Sequence, residues 1–267
     1  MAGRLATLHY RRLGENAHLD WTAPYIKRQL HAPGIVDSAP VLASLASRIR
    51  LAIRRNAGPA LVLQALAVAV VAGYYTWPPA HALLERLMAL KLAWGVFYSF
   101  AAGALFGGLL PRLVLLATGA HEGAVASELA FALVFWGYRS VEVDLFYRLQ
   151  AWWFGNTARW PVVLAKAAVD QFLYSPCWAV PGLALAYAWK DAGYSWTVLR
   201  QHLDREFFVL RLPAAIVANA MVWLPTVIAI YFLPAALQLP VSNLVASFWV
   251  LLMIVVLRRG RKTHDAA

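Results

Sequence analysis

The sequence predicts an all-α polytopic membrane protein, a bundle of six transmembrane helices preceded by a basic amphipathic segment. Of its 267 residues, 61% are hydrophobic and only 14% charged, whereas about a quarter of a soluble domain is charged. From Leu212 to Leu257 the chain carries no Asp, Glu, Lys, Arg or His. The basic residues gather at the ends. Arg4, Arg11, Arg12, Lys27, Arg28, Arg48, Arg50, Arg54 and Arg55 precede the first apolar run, and Arg258, Arg259, Arg261 and Lys262 follow the last. Positive segments flanking spans mark the cytoplasmic side, because Lys and Arg resist translocation and meet anionic lipid there. Both ends on one side make the number of spans even.

The net charge of +11 is therefore read as membrane topology. No aromatic-interleaved basic patch of the kind that tracks single-stranded nucleic acid occurs, so nucleic acid is not an expected partner. The lipid bilayer, anionic lipid head groups and a second copy of the chain are.

Residues 1–57 form a basic cytoplasmic or interfacial segment. No apolar core follows the first arginines, which argues against a secretory signal; a mitochondrial presequence is the competing reading of an Arg-rich, acid-poor start. Between Val41 and Arg55, Leu42, Leu45, Ile49, Ala52 and Ile53 recur at helical spacing with arginines on the other faces, as in a helix lying in the headgroup plane. Asn56-Ala57-Gly58-Pro59 is expected to stop it, since Gly accepts a left-handed cap and Pro cannot continue a helix.

Residues 58–257 are the bundle. A span needs about 20 apolar residues to cross about 30 Å of hydrocarbon. The first is expected at Pro59 to Trp77, apolar except for Gln64. A short loop holding Pro78, Pro79, His81, Glu85, Arg86 and Lys91 leads to the second, Leu92 to Ala117. There Gly103, Gly107 and Gly108 form a stripe that lets another helix approach closely in lipid.

The third span, Ala124 to Phe146, is interrupted by Glu128, Arg139, Glu142 and Asp144; the fourth, Val162 to Trp189, carries Lys166, Asp170 and Gln171. A polar amphipathic stretch from Lys190 to Arg211 follows on the cytoplasmic side. The last two spans are joined by a hairpin at Leu233 to Pro240 on the opposite side. Trp77, Trp94, Trp152, Trp153, Trp160 and Trp189 fall near span ends, where an amphipathic ring prefers the interface. Residues 258–267 form a basic cytoplasmic tail.

Ionisable groups at membrane depth cost several kcal/mol unless they face a partner or water, which makes them the candidates for function. Arg139 and Glu142 are spaced i,i+3; Asp144 and Arg148, and Lys166 and Asp170, are spaced i,i+4, so each pair can neutralise itself on one helix face. One reading makes these structural ion pairs. Another makes them the lining of a polar path, joined by Gln171, Asn219 and Glu128. A catalytic role is the third.

No catalytic, cofactor or metal motif supports that last reading. His121-Glu122 opens like a zinc-protease motif, but Val125 stands where the second histidine would be. No Gly-x-Ser-x-Gly elbow and no phosphate-binding loop occurs. A lipid-modifying enzyme would need Glu128, Glu142 and Asp144 to converge. The lone Cys177 excludes an intramolecular disulfide and is expected to pack as a small residue beside Pro176.

The segment Lys166-Ala-Ala-Val-Asp170-Gln171-Phe-Leu-Tyr-Ser-Pro176-Cys177 resembles the Lys-x-x-x-Asp-Gln-x-x-x-x-Pro signature of the Mpv-seventeen family, small membrane proteins that include the twenty-two-kilodalton peroxisomal membrane protein. Phe146-Tyr147-Arg148-Leu149, Pro213, Asn219-Ala-Met-Val-Trp223-Leu-Pro225, Tyr231-Phe-Leu-Pro234 and Val245-Ala-Ser-Phe-Trp249 resemble further landmarks in the same order, so the resemblance covers about residues 90–257. Departures include Ser140-Val141 in place of Gly-Pro, Asp144 in place of His, and Gln238 in place of Arg.

The resemblance implies an integral membrane protein, channel-like or pore-forming for small solutes, that supports metabolite balance across a membrane. A non-catalytic scaffold binding anionic lipid or a partner through the basic segment is the alternative. An Ala- and Leu-rich chain with an added amino-terminal span points to a bacterial plasma membrane, with the mitochondrial inner membrane second.

Overall fold

The computed structural model describes residues 41–117 and 125–264, and every regular element among them is helical. Most of the predicted amino-terminal segment, the His121-Glu122 dipeptide and the last three residues lie outside the described residues.

Helix α1, Val41–Thr76, runs straight through the expected stop, with Pro59 inside it. The interfacial helix and the first span are thus one element. The reason lies in packing: Ala52, Asn56, Ala60, Leu63 and Ala67 recur every three or four residues across the proline, and all are buried. Asn56 contributes locally by donating from Nδ2 to the Ala52 carbonyl at 2.7 Å. Most of this stripe lies against α6 (Phe207–Tyr231), which begins with a wide turn, Phe207–Arg211, and buries Ala214, Ala215 and Ala218 in return. Alanine on both sides lets two backbones approach closely in lipid, where dispersion and hydrogen bonds hold helices together. Gln64 explains its place in an otherwise apolar run. Pro225 of α6 has no N–H for the Met221 carbonyl one turn earlier, and Gln64 Nε2 donates to that oxygen at 3.1 Å.

No loop precedes α2. Trp77 alone is extended, and the helix starts at Pro78, where prolines at the first two positions are favourable because those N–H groups have no partner anyway. The helix runs Pro78–Gly103, then a wide turn of i→i+5 bonding at Ala104–Leu109, then Leu110–Ala117. It is broken at Gly95, whose φ of 54° and ψ of −121° no other residue adopts cheaply.

Helix α3, Val125–Phe154, is longer than the expected span. Helix α4 occupies 160–191 as Trp160–Val169, a second wide stretch at Asp170–Ala179 containing Pro176, and Val180–Asp191. The short α5, Trp196–His202, is capped by Ser195 Oγ, which accepts from the Val198 N–H. The predicted Leu233 to Pro240 hairpin is a tighter turn: α6 ends at Tyr231, α7 begins at Ala235, and Pro240 lies inside α7, Ala235–His264. Gln238 folds back to donate to the Leu233 carbonyl at 3.0 Å and closes the turn.

The glycine stripe of α2 sits against α3. A Cβ on Gly103 would run into the Trp136 carbonyl and Ser140, one on Gly107 into the Trp136 ring, and one on Gly108 would stand 2.9 Å from the Ala132 carbonyl oxygen. Ala132, Trp136 and Ser140 are successive turns of one face, so three turns of α3 press on bare backbone.

Among the described residues three helices are long and apolar enough to cross a membrane: Asn56–Thr76, Pro78–Ala117 and Phe207–Tyr231. Both α3 and α4 carry ionisable side chains within their length. The outer surface is apolar: Leu92, Phe97, Trp152 and Phe172 are each about two thirds exposed or more. Lys91, Asp144, Gln150, Lys166 and Asp170 are buried. Such a distribution is unsuited to water, where exposed apolar patches beyond a few hundred Å² are rare, and suited to hydrocarbon. Cys177 shares that outer face with Phe172, Leu173 and Trp178, so the expected packing beside Pro176 does not occur.

Candidate functional site

A cavity of about 180 Å³ lies among α2, α3, α4, α6 and α7. The wide stretch of α4 supplies one wall. Bonding i→i+5 widens the turn, and Asp170, Gln171, Tyr174 and Ser175 all reach the cavity from it. Arg139, Ser140 and Trp136 enter from α3, Asn219 and Trp223 from α6, Ser242 and Asn243 from α7, and the backbone of Gly103 and Gly107 closes the α2 side.

Most of these polar groups are tied to each other. Asn219 Nδ2 donates to Ser175 Oγ at 2.8 Å, joining α6 to α4, and Asn243 Nδ2 donates to Ser140 Oγ at 3.0 Å, joining α7 to α3. Tyr147 and Ser242 hydroxyls meet at 2.9 Å. The Asp170 carboxylate accepts from Tyr231 Oη at 2.5 Å and from Gln171 Nε2 at 2.9 Å, while Gln150 Nε2 donates to Tyr231 Oη at 2.8 Å. Gln171 Oε1 is buried and accepts nothing among the described residues.

Four sequence candidates therefore meet at the cavity: Arg139, Asp170, Gln171 and Asn219. Arg139 arrives already neutralised, because its Nη1 donates to both Glu142 oxygens at 2.6 Å. Glu142 stands behind it and also accepts from the Tyr174 hydroxyl, whose ring stacks on Phe146 at 4.0 Å between centroids.

The other candidates lie elsewhere. Asp144 Oδ2 accepts from Lys91 Nζ at 2.6 Å, Ser99 Oγ at 2.9 Å and Arg148 Nη2 at 2.9 Å. It belongs to a buried clasp between α2 and α3, away from the cavity lining. Glu128 accepts from Arg112 Nη2 at 2.5 Å and from Lys190 Nζ at 2.8 Å, so it binds the ends of α2 and α4 to the start of α3. Glu128, Glu142 and Asp144 thus serve three separate sets of partners.

The predicted pair of Lys166 and Asp170 does not form. Asp170 turns to Tyr231 and Gln171, while Lys166, buried among α4 and α6, places Nζ 5.9 Å from the centre of the Tyr231 ring. An i,i+4 spacing permits a pair, but the same tyrosine from α6 engages each group, its hydroxyl donating to Asp170 and its ring lying under the Lys166 ammonium.

Ser140, Ser175, Tyr231, Ser242 and Asn243 were not among the sequence candidates for the site. Ser175 had a signal, one wide turn after Asp170 in the same motif. Ser242 and Asn243 had a weaker one, as neighbouring polar residues in the charge-free Leu212 to Leu257 run. Among the described residues no three His, Cys, Asp or Glu side chains assemble as a metal would require. No family model, curated protein or solved structure matches the chain.

Proposed function

We propose that the chain crosses a membrane six times and passes or gates small polar solutes through the cavity between α3, α4 and α6. The observation that carries this reading is the convergence of Arg139, Asp170, Gln171 and Asn219 from three helices on one cavity. Polar side chains inside a bundle that is apolar outside are costly unless they pair with one another or face a hydrated route or a ligand. The ionisable groups of α3 and α4 are buried in pairs, tied to neighbours or turned to the cavity, which supports counting both helices, with α7, as spans.

Membership of the Mpv-seventeen family belongs to the same proposal. Its support is the Lys166 to Cys177 block, from which Asp170 and Gln171 reach the cavity wall. A bacterial plasma membrane is the proposed location, with the mitochondrial inner membrane as the alternative.

The test is reconstitution of the purified full chain in liposomes and planar bilayers beside Asp170→Ala. Flux of small polar solutes or conductance that changes in the variant supports the proposal. Intact, folded protein with neither property in either form overturns it.

A further inference from the structure

We infer that the cavity selects a small organic cation, a solute with a primary ammonium group and a short apolar body. The inference rests on the reading of this cavity as a solute site and adds the chemistry of what it takes.

Charge is the first argument. Two ionisable groups other than tyrosine line the cavity, Arg139 and Asp170. Arg139 is matched by Glu142. Among the described residues no cation lies within 4.0 Å of Asp170, which is held by two neutral donors, Tyr231 and Gln171. Lys166, one turn before it, points to the Tyr231 ring and does not line the cavity. The lining and its immediate partners therefore carry one carboxylate in excess, inside a chain whose overall charge is +11. The opposing field of the basic ends is screened over about 8 Å at physiological salt, so the local carboxylate governs the site.

Hydrogen bonding is the second argument and is independent of the first. Gln171 is 4% exposed and its Oε1 has no donor; a buried acceptor left open costs about 1–3 kcal/mol. Asn219 commits its Nδ2 to Ser175 and leaves its own oxygen on the wall. An ammonium has three donors and no acceptor; the acceptors nearest to it are the oxygens of the lining residues Asp170 and Asn219, with the open Gln171 oxygen buried directly behind them. Trp136 and Trp223 line the same space, and indole rings attract a nearby cation and pack against methylenes.

The experiment uses the full chain in phosphatidylcholine nanodiscs, with empty nanodiscs subtracted, and ligand-observed NMR titration of n-butylammonium, butyramide and butyrate. These probes are similar in size and differ in charge. Butylammonium should bind at least about tenfold more tightly than butyramide, since a charge-assisted hydrogen bond is roughly twice as strong as a neutral one. Butyrate should not compete with it. Asp170→Asn, checked for retained helicity, should erase the preference. The wild-type comparison stands even where that variant fails to fold.

Equal binding of ammonium and amide, preference for butyrate, or no saturable binding overturns the inference. Flux of neutral solutes without ammonium binding leaves solute passage standing and removes the cation. Ammonium binding without any flux does the reverse.

Discussion

Replacing Asp144 with Asn tests whether the α2–α3 clasp holds the bundle together. Lys91 and Asp144 are 3% and 4% exposed, and their charged atoms are 2.6 Å apart. Asn keeps the shape and a hydrogen-bonding oxygen but removes the charge, leaving the Lys91 ammonium buried beside Ser99 and the Gly95 carbonyl. Breaking a buried pair from one side costs about 3–5 kcal/mol, whereas replacing both partners by apolar residues is often neutral or stabilising by about 1–4 kcal/mol. Arg148, the second cation on Asp144, is half exposed and contributes little to either figure.

Asp144→Asn should therefore destabilise the protein by about 3 kcal/mol or more, while Lys91→Met combined with Asp144→Leu should recover most of that loss. The assay is unfolding in mixed detergent micelles followed by circular dichroism, run as a double-mutant cycle. A loss below about 1 kcal/mol for the single variant, or a double variant no more stable than Asp144→Asn, refutes the reasoning.

Three further substitutions probe other contacts. Gly103→Val drives a side chain into the Trp136 carbonyl and Ser140 and should cost more than the about 1–3 kcal/mol of ordinary overpacking, because backbone cannot repack; the same unfolding titration measures it. Gly58→Ala meets nothing within 4 Å and should stabilise α1 by up to about 1 kcal/mol through helix propensity, seen as a higher melting midpoint. Glu128→Gln takes the charge from between Arg112 and Lys190 and should cost about 2 kcal/mol, less than a fully buried pair because Glu128 is partly exposed. The same unfolding titration reports the loss.

How far the sequence reveals the fold depends on the range of each interaction. The glycine stripe was readable because Gly103, Gly107 and Gly108 are spaced like one helix face, and that face meets α3. Helix α1 carried the right signal too, the Ala52 to Ala67 stripe, but local proline and glycine rules cut it at Asn56 to Pro59. In lipid, tertiary packing outweighs those rules, and a proline is tolerated where neighbours satisfy the backbone.

Ion pairing divides the same way. Arg139 with Glu142 and Asp144 with Arg148 follow from spacing and are present. Asp144 with Lys91, and Glu128 with Arg112 and Lys190, join residues that only the folded bundle makes neighbours. Four of the residues that line the cavity were picked for being polar at membrane depth. The serines, Asn243 and the tyrosines escaped because hydroxyls, amides and aromatic rings are unremarkable in membrane helices until a partner is known.

The break at Gly95 and the carboxylate of Asp144 are fastened by the same two groups. Lys91 and Ser99, one turn before and one turn after Gly95, both donate to its carbonyl or lie in reach of it, and both also engage Asp144. A slip of α3 along α2 by one turn, about 5.4 Å, would have to undo the bend and the charge contact in a single event. Bare backbone at Gly103 and Gly107 adds a geometric lock farther along. Those two helices thus behave as a fixed jamb, and any widening of the chamber falls to the opposite side, where α4 and α6 are joined by two hydrogen bonds, Asn219 to Ser175 and Tyr231 to the Asp170 carboxylate.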